Sequence, residues 1–201
     1  FCRIGVYKKT TRFGGTFKEL PEELKRSKST VNVKNTDNKC FLWSVLASIV
    51  YIFDTRDGTI TKDRNRVTHY EKFELGIRMD NITYPVKVCD VEKINKMNPG
   101  LSINVYGYES QKLVPYYVDK YTTNEYQIDL LLINNHYSAI TNINALLRST
   151  NQSSVTFHLC RRCLSSFERP ETLTKHQELC YRNEICAVQM PDYDLKFINH
   201  C

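Results

Sequence analysis

Hydrophobic and polar positions alternate in two different ways along this chain. The first is a block. In DNKCFLWSVLASIVYIF (37–53) a polar run ends at Cys40, and a nearly unbroken apolar stretch follows from Phe41 to Phe53. Apolar residues fall on every side of a helix drawn through it, which predicts burial rather than an amphipathic surface stripe. The stretch is too short to cross a bilayer and carries Ser44 and Ser48, so it reads as a core helix.

The second is a series of short runs rich in β-branched and aromatic residues. These are ITYPVKV (82–88), LSINVYGY (101–108), KLVPYYV (112–118), YQIDLLLI (126–133) and HYSAIT (136–141), with MNPG and YTTNE as turn chemistry between them. VNVKN (31–35) alternates and predicts a further short strand. Pro85 and Pro115 place their strands at an edge or a bulge. LPEELKR, with Pro21 at its start, predicts one or two helical turns; THYEKFEL predicts a short helix and INALL a helical turn. The sum is an α+β body, a central helix packed on a mostly antiparallel sheet.

Length and composition refine this outline. The 201 residues suit one domain with a small appendage; 41% are hydrophobic and 25% charged, enough for a core and against wholesale disorder. The opening Phe, in place of Met, is read as the start of a piece of a longer chain. Net charge is +6, and its placement matters: residues 1–39 hold ten Lys or Arg against four Asp or Glu, whereas residues 40–201 hold eighteen of each. A basic arm over 1–30, read as poorly ordered, is an electrostatic footprint for nucleic acid, or else a solvated tail or linker. The eight cysteines do not form a disulfide framework. Their use points to a reducing compartment, cytoplasmic or nuclear, and no membrane association is expected.

Beyond a linker at NQSS (151–154), residues 155–182 form a separate module. CRRCLSSFERPETLTKHQELC (160–180) spaces its ligands as C-x2-C, twelve residues, H-x3-C. Two cysteines on a tight turn meet a His and a Cys one helical turn apart, giving a tetrahedral S/N site suited to Zn2+. The ligands are Cys160, Cys163, His176 and Cys180, with Phe167 and Leu173 as a minimal ββα core. The segment resembles the zinc-finger family, with Cys180 in place of the second His. In DNA-reading fingers the base-contacting positions lie just before the helix and at its third and sixth residues. Here these are Arg169, Thr172 and Lys175, and the arginine can pair with guanine. A single finger spans only about 3 base pairs, so a structural or protein-binding role stays open.

Cys40 stands at the head of the apolar helix, where free N–H groups and the helix dipole favour a thiolate. His136 opens HYSAIT and is the candidate base; Asp37, Asn142 and Asn144 are candidate orienting groups. The D-N-K-C and H-Y pairs resemble the papain-like cysteine peptidases, and most closely the ovarian-tumour (OTU) deubiquitinases. In that family an Asp precedes the nucleophile by three residues and the catalytic His opens an H-Y pair on a late strand. Asn38-Lys39 departs from the family's small residues before the Cys, and Ser138 from its acidic or amide residue two after the His. The resemblance implies a papain-like body and, if active, a ubiquitin-like or polyprotein substrate.

A broader resemblance runs from about residue 15 to the end of the chain. NVKNTDNKCFLWSVLAS, YPVKVCDVEKINKMNPGLSINVYGYE, HYSAITNINALL, the finger and the tail PDYDLKFIN follow one another as in the region upstream of the exonuclease domain of protein-primed family B DNA polymerases, encoded by Maverick/Polinton-like transposons and related viruses. It implies a DNA-replication setting, a downstream polymerase region of the same longer chain as partner, and residues 183–201 as the lead-in to it. Neither an exonuclease carboxylate motif nor a polymerase motif is present.

Overall fold

The computed structural model describes residues 14–58, 62–119, 126–151 and 157–182. A five-stranded sheet organises the body. Its strands are β1 (Thr30–Val31), β2 (Leu101–Glu109), β3 (Lys112–Tyr117), β4 (Tyr126–Ile133) and β5 (His136–Ile140), ordered β1-β5-β4-β2-β3. Neighbours are antiparallel except β2 and β4, which run parallel from Leu101↔Tyr126 to Gly107↔Leu132. The body is therefore α+β with a mostly antiparallel sheet.

Helices cover both faces of this sheet, and the pleat sorts the side chains. On one face Ile103, Val105, Ile128, Leu130, Leu132, Tyr137 and Ala139 pack with α2 (Cys40–Asp57) and the short α3 (Val91–Met97). On the other, Tyr106, Leu131 and Ile140 pack with α1 (Glu22–Arg26) and α4 (Ile143–Asn151). Alternate residues of one strand thus enter opposite cores, and both are apolar because neither face meets water.

The apolar block behaves as its pattern predicts. Every residue from Cys40 to Ser48 is buried, and the helix ends at Gly58, whose φ of +69° is the left-handed cap that glycine takes most easily. Ser44 Oγ donates to the Tyr137 carbonyl at 3.0 Å, fastening α2 to β5.

Three expectations change. Residues 82–88 form an irregular segment instead of a strand; Pro85 lacks the N–H a ladder needs, and a short 3-10 turn at Val88–Asp90 leads into α3. THYEKFEL becomes two 3-10 turns, Val67–His69 and Glu71–Gly76. Residues 14–30 do not form a free arm: Leu20 and Leu24 are buried in the second core. Part of the basic excess of residues 1–39 is ion-paired, Lys25 with Glu19 and Glu22, and Lys39 with Glu74. Pro115 lies on edge strand β3, opposite the irregularity at Val105/Tyr106, where a missing donor is tolerated.

Residues 157–182 form a ββα unit of β6 (His158–Leu159), β7 (Ser166–Phe167) and α5 (Pro170–Arg182). Leu159 enters the second core beside Leu20 and Leu24. Arg161 Nε donates to Asp129 Oδ2 at 2.9 Å, and Tyr106 Oη donates to the Arg161 carbonyl at 3.2 Å. Asp129 belongs to a buried polar chain: Asn104 Nδ2 donates to its other oxygen, Asn104 Oδ1 accepts from the Asp119 N–H, and Ser102 Oγ donates to Asp119.

Among the described residues, no helix is long and apolar enough to cross a membrane.

Candidate metal centre and thiol cleft

The ββα unit brings the four sequence-predicted ligands together. The ligand atoms of Cys160, Cys163, His176 and Cys180 all lie within 4.8 Å of one another. Cys160 and Cys163 sit on the turn after β6, closed by Cys160 N–H to the Ser165 carbonyl at 3.0 Å and Leu164 N–H to the Cys160 carbonyl at 2.8 Å. His176 and Cys180, four residues apart, share one face of α5.

The spacing and the donors fit zinc. A tetrahedron built on usual Zn–S and Zn–N bonds has edges of about 3.8 Å between sulfurs and about 3.5 Å between sulfur and nitrogen. The Cys160–Cys180 sulfurs are 3.9 Å apart, and Cys163 Sγ lies 3.2 Å from His176 Nε2. Three sulfurs and one imidazole are a donor set that suits Zn2+, and four protein ligands would leave no open position on such an ion. Phe167 packs against His176 with ring centroids 4.7 Å apart and the planes tilted by 38°, which limits the freedom of the imidazole. Arg169, Thr172 and Lys175 are all exposed, and Leu179 is 65% exposed on the same helix.

The second site lies at the head of α2. Cys40 Sγ accepts the Tyr137 N–H at 3.4 Å, so the sulfur sits directly against the residue that follows His136. His136 is fixed by the turn before it. Asn134 and Asn135 both have positive φ (50° and 58°), the backbone of a two-residue hairpin that pairs Ile133 with His136.

Asn32 completes the group. Its Oδ1 lies 2.7 Å from His136 Nε2 and accepts from Ser138 Oγ at 3.0 Å, while its Nδ2 donates to the Lys18 carbonyl. The sequence reading missed Asn32, which stands just past β1. The remaining signal was VNVKN itself, a polar residue on a strand that must pair with something.

The sequence-derived orienting groups lie elsewhere. Asp37 accepts hydrogen bonds from Asn35 Nδ2, the Lys39 N–H and Trp43 Nε1. Burial alone would raise its carboxyl; those donors outweigh burial and hold it below its usual value. It anchors the start of α2 and does not touch His136. Asn142 Oδ1 accepts the Ala145 N–H at 2.9 Å and caps α4. Asn144 Oδ1 is buried without a hydrogen-bond partner.

The cleft is closed. Cys40 and His136 are each 1% exposed. Burial pushes the Cys40 thiol up to about 12, against the opposing pull of backbone N–H groups at Tyr137 and Phe41. Burial also draws His136 down to about 4, against the backbone of Thr16 and Gly15 beside its ring. Thiol and imidazole are thus both neutral at pH 7. His136 Nδ1 has no hydrogen-bond partner, so the Cys–His contact of a working pair is not made in this conformation.

No family model, no curated protein and no solved structure matches this chain.

Proposed function

We propose that this chain is a zinc-binding accessory module of a protein-primed family B DNA polymerase from a transposon- or virus-like element, contacting DNA through its finger. The observation that carries the reading is the four-ligand cluster of Cys160, Cys163, His176 and Cys180. In a unit this small, metal binding supplies folding energy that burial cannot. Arg169, Thr172 and Lys175 are free to reach a groove, and the docked Arg161–Asp129 contact would hold the finger at a set angle to the body. A single finger gives weak binding, so the polymerase region would supply the rest of the affinity.

The test is binding of a fluorescent duplex by the full chain as a function of salt. Expected are a falling affinity with rising salt, loss on zinc chelation, and a weaker complex for Arg169→Ala and Lys175→Glu. Binding that ignores both chelation and these substitutions overturns the reading.

A second reading is favoured by the Asn32–His136–Cys40 arrangement: the body is an OTU-like cysteine peptidase. Asn32 would orient the imidazole, His136 would take the thiol proton, and Cys40 would attack the peptide carbonyl. The first-turn N–H groups of α2 and the Tyr137 N–H favour the thiolate once the cleft opens. Labelling of Cys40 by a ubiquitin-based or peptide electrophile, abolished in His136→Ala, is the expected result; labelling that survives His136→Ala denies the imidazole its role.

A further inference from the structure

A segment of the chain itself lies across the cleft. Gly14 is buried, and its position admits no side chain: a Cβ there would stand 2.3 and 2.7 Å from carbons of the Tyr137 ring and 3.1 Å from Cys40 Sγ. The ring cannot yield easily, because Tyr137 is fully buried, packs edge-on against Phe41 and donates its hydroxyl to the Val86 carbonyl. The segment is gripped by its main chain. Gly14 N–H donates to the Val86 carbonyl at 3.3 Å, Gly15 N–H to the Asn135 carbonyl at 2.7 Å, and Asn35 Nδ2 to the Gly15 carbonyl at 3.4 Å. Beyond it, Phe17 lies edge-on to His136, whose unpartnered Nδ1 is buried beside the backbone of Gly15 and Thr16.

We propose that the groove at Cys40 is a glycine-selective peptide subsite and that Gly14–Gly15 is its resident occupant, shielding Cys40 and His136 until it is displaced. The ligand class is an extended peptide with glycine at the position facing Tyr137, bound through its backbone. The proposal deepens the peptidase reading, on which it rests for the groove's being a peptide-binding site. Main-chain hydrogen bonds give such a site affinity, and the side-chain pockets, here a wall, give selectivity. Gly15 supplies an internal contrast, since a Cβ at that position meets only Asn38 Oδ1 at an ordinary 3.5 Å.

The experiment measures thiol access, not turnover. The full, zinc-loaded chain is treated with iodoacetamide, and modification of Cys40 is quantified by peptide mass spectrometry relative to the exposed Cys89 of the same molecules. Gly14→Ala is expected to raise the Cys40 rate by about tenfold or more, and Gly15→Ala to leave it within about twofold of the parent. A synthetic peptide of residues 12–18 restores protection to Gly14→Ala, and the same peptide with alanine in place of Gly14 does not. A chain lacking residues 1–15 exposes Cys40 without introducing a clash, so a misfolded Gly14→Ala variant does not decide the matter. Equal rates for Gly14→Ala and Gly15→Ala, or a shortened chain whose Cys40 stays protected, overturn the proposal. If electrophile labelling fails while Gly14→Ala uncovers Cys40, the peptidase reading falls and the subsite stands. If labelling succeeds while access never changes, the reverse holds.

Discussion

Asn32 Oδ1 lies 2.7 Å from His136 Nε2, across 104 residues of sequence. The contact ties the segment after β1 to the first residue of β5, and the same oxygen holds Ser138. Removing it strands two polar groups, one of them fully buried and the other 1% exposed. Asn32→Leu should therefore cost about 1–3 kcal/mol, the penalty for buried groups left unpaired. Urea unfolding measures this; a midpoint equal to that of the parent would mean that the contact carries no net energy.

The buried imidazole makes stability fall in acid. His136 titrates at about 4 in the folded chain against 6.5 for the free side chain. A depressed folded value favours the neutral ring, so its contribution is complete above pH 6.5 and is lost as pH falls through 4. Within that window the slope approaches about 1.4 kcal/mol per pH unit. His136→Phe should flatten this part of the profile relative to the rest, and an unchanged slope would assign the acid sensitivity to other groups.

Cys40 acts at the opposite end of the scale. Its folded value of about 12 lies above the ordinary 9.0, so its contribution is present below pH 9 and is lost as pH rises toward 12. Cys40→Ala should remove the alkaline loss in that window. A parent chain and variant with superimposable alkaline profiles would contradict the burial argument.

Zinc should hold the finger without holding the body. Chelation is expected to release one zinc per chain and to abolish hydrogen-exchange protection in residues 157–182, while β4 and β5 stay protected. Cys163→Ala should behave like the chelated parent, and Cys180→His should retain the metal, because imidazole is an equivalent ligand. Protection of the finger in excess chelator would exclude a structural metal.

Leu24 tests whether the leading residues belong to the body. It is fully buried among Leu20, Leu146 and Leu159. Leu24→Ala should cost about 2–5 kcal/mol, as core truncations do. A cost near zero would return residues 14–30 to the status of a loose arm.

The regular parts of this fold were readable from local pattern. YQIDLLLI became a strand because its apolar run matches a pleat whose faces are both buried, and KLVPYY, half-buried at the edge, because its β-branched and aromatic residues suit a pleat. The clustering of Cys160, Cys163, His176 and Cys180 was readable because a turn and one helix face need only local spacing to bring four side chains together. What stayed hidden was relational. ITYPVKV has strand composition, yet Pro85 removes a donor, and the segment instead carries the Val86 carbonyl to Gly14. VEKINKM places Val91, Ile94 and Met97 at helical spacing, but the run is short enough to pass for a loop. Asp37 had the right distance from Cys40 to pass for an orienting group, and only the fold shows Trp43 taking its carboxylate. VNVKN could not say what Asn32 meets, because that partner depends on the order in which strands enter the sheet.

That order has a consequence for synthesis on the ribosome. β5 is the last body strand to be made, yet it lies in the interior of the sheet, between β1 and β4. Until residues near 140 emerge, β1 has no neighbour, and Cys40 lacks both Tyr137 and His136. The nascent chain therefore carries Cys40 without its β5 neighbours through about a hundred residues of elongation, and a contact across so long a loop forms late. During that interval the sulfur is open to oxidation or to a chaperone, and the arrival of one five-residue strand ends the exposure.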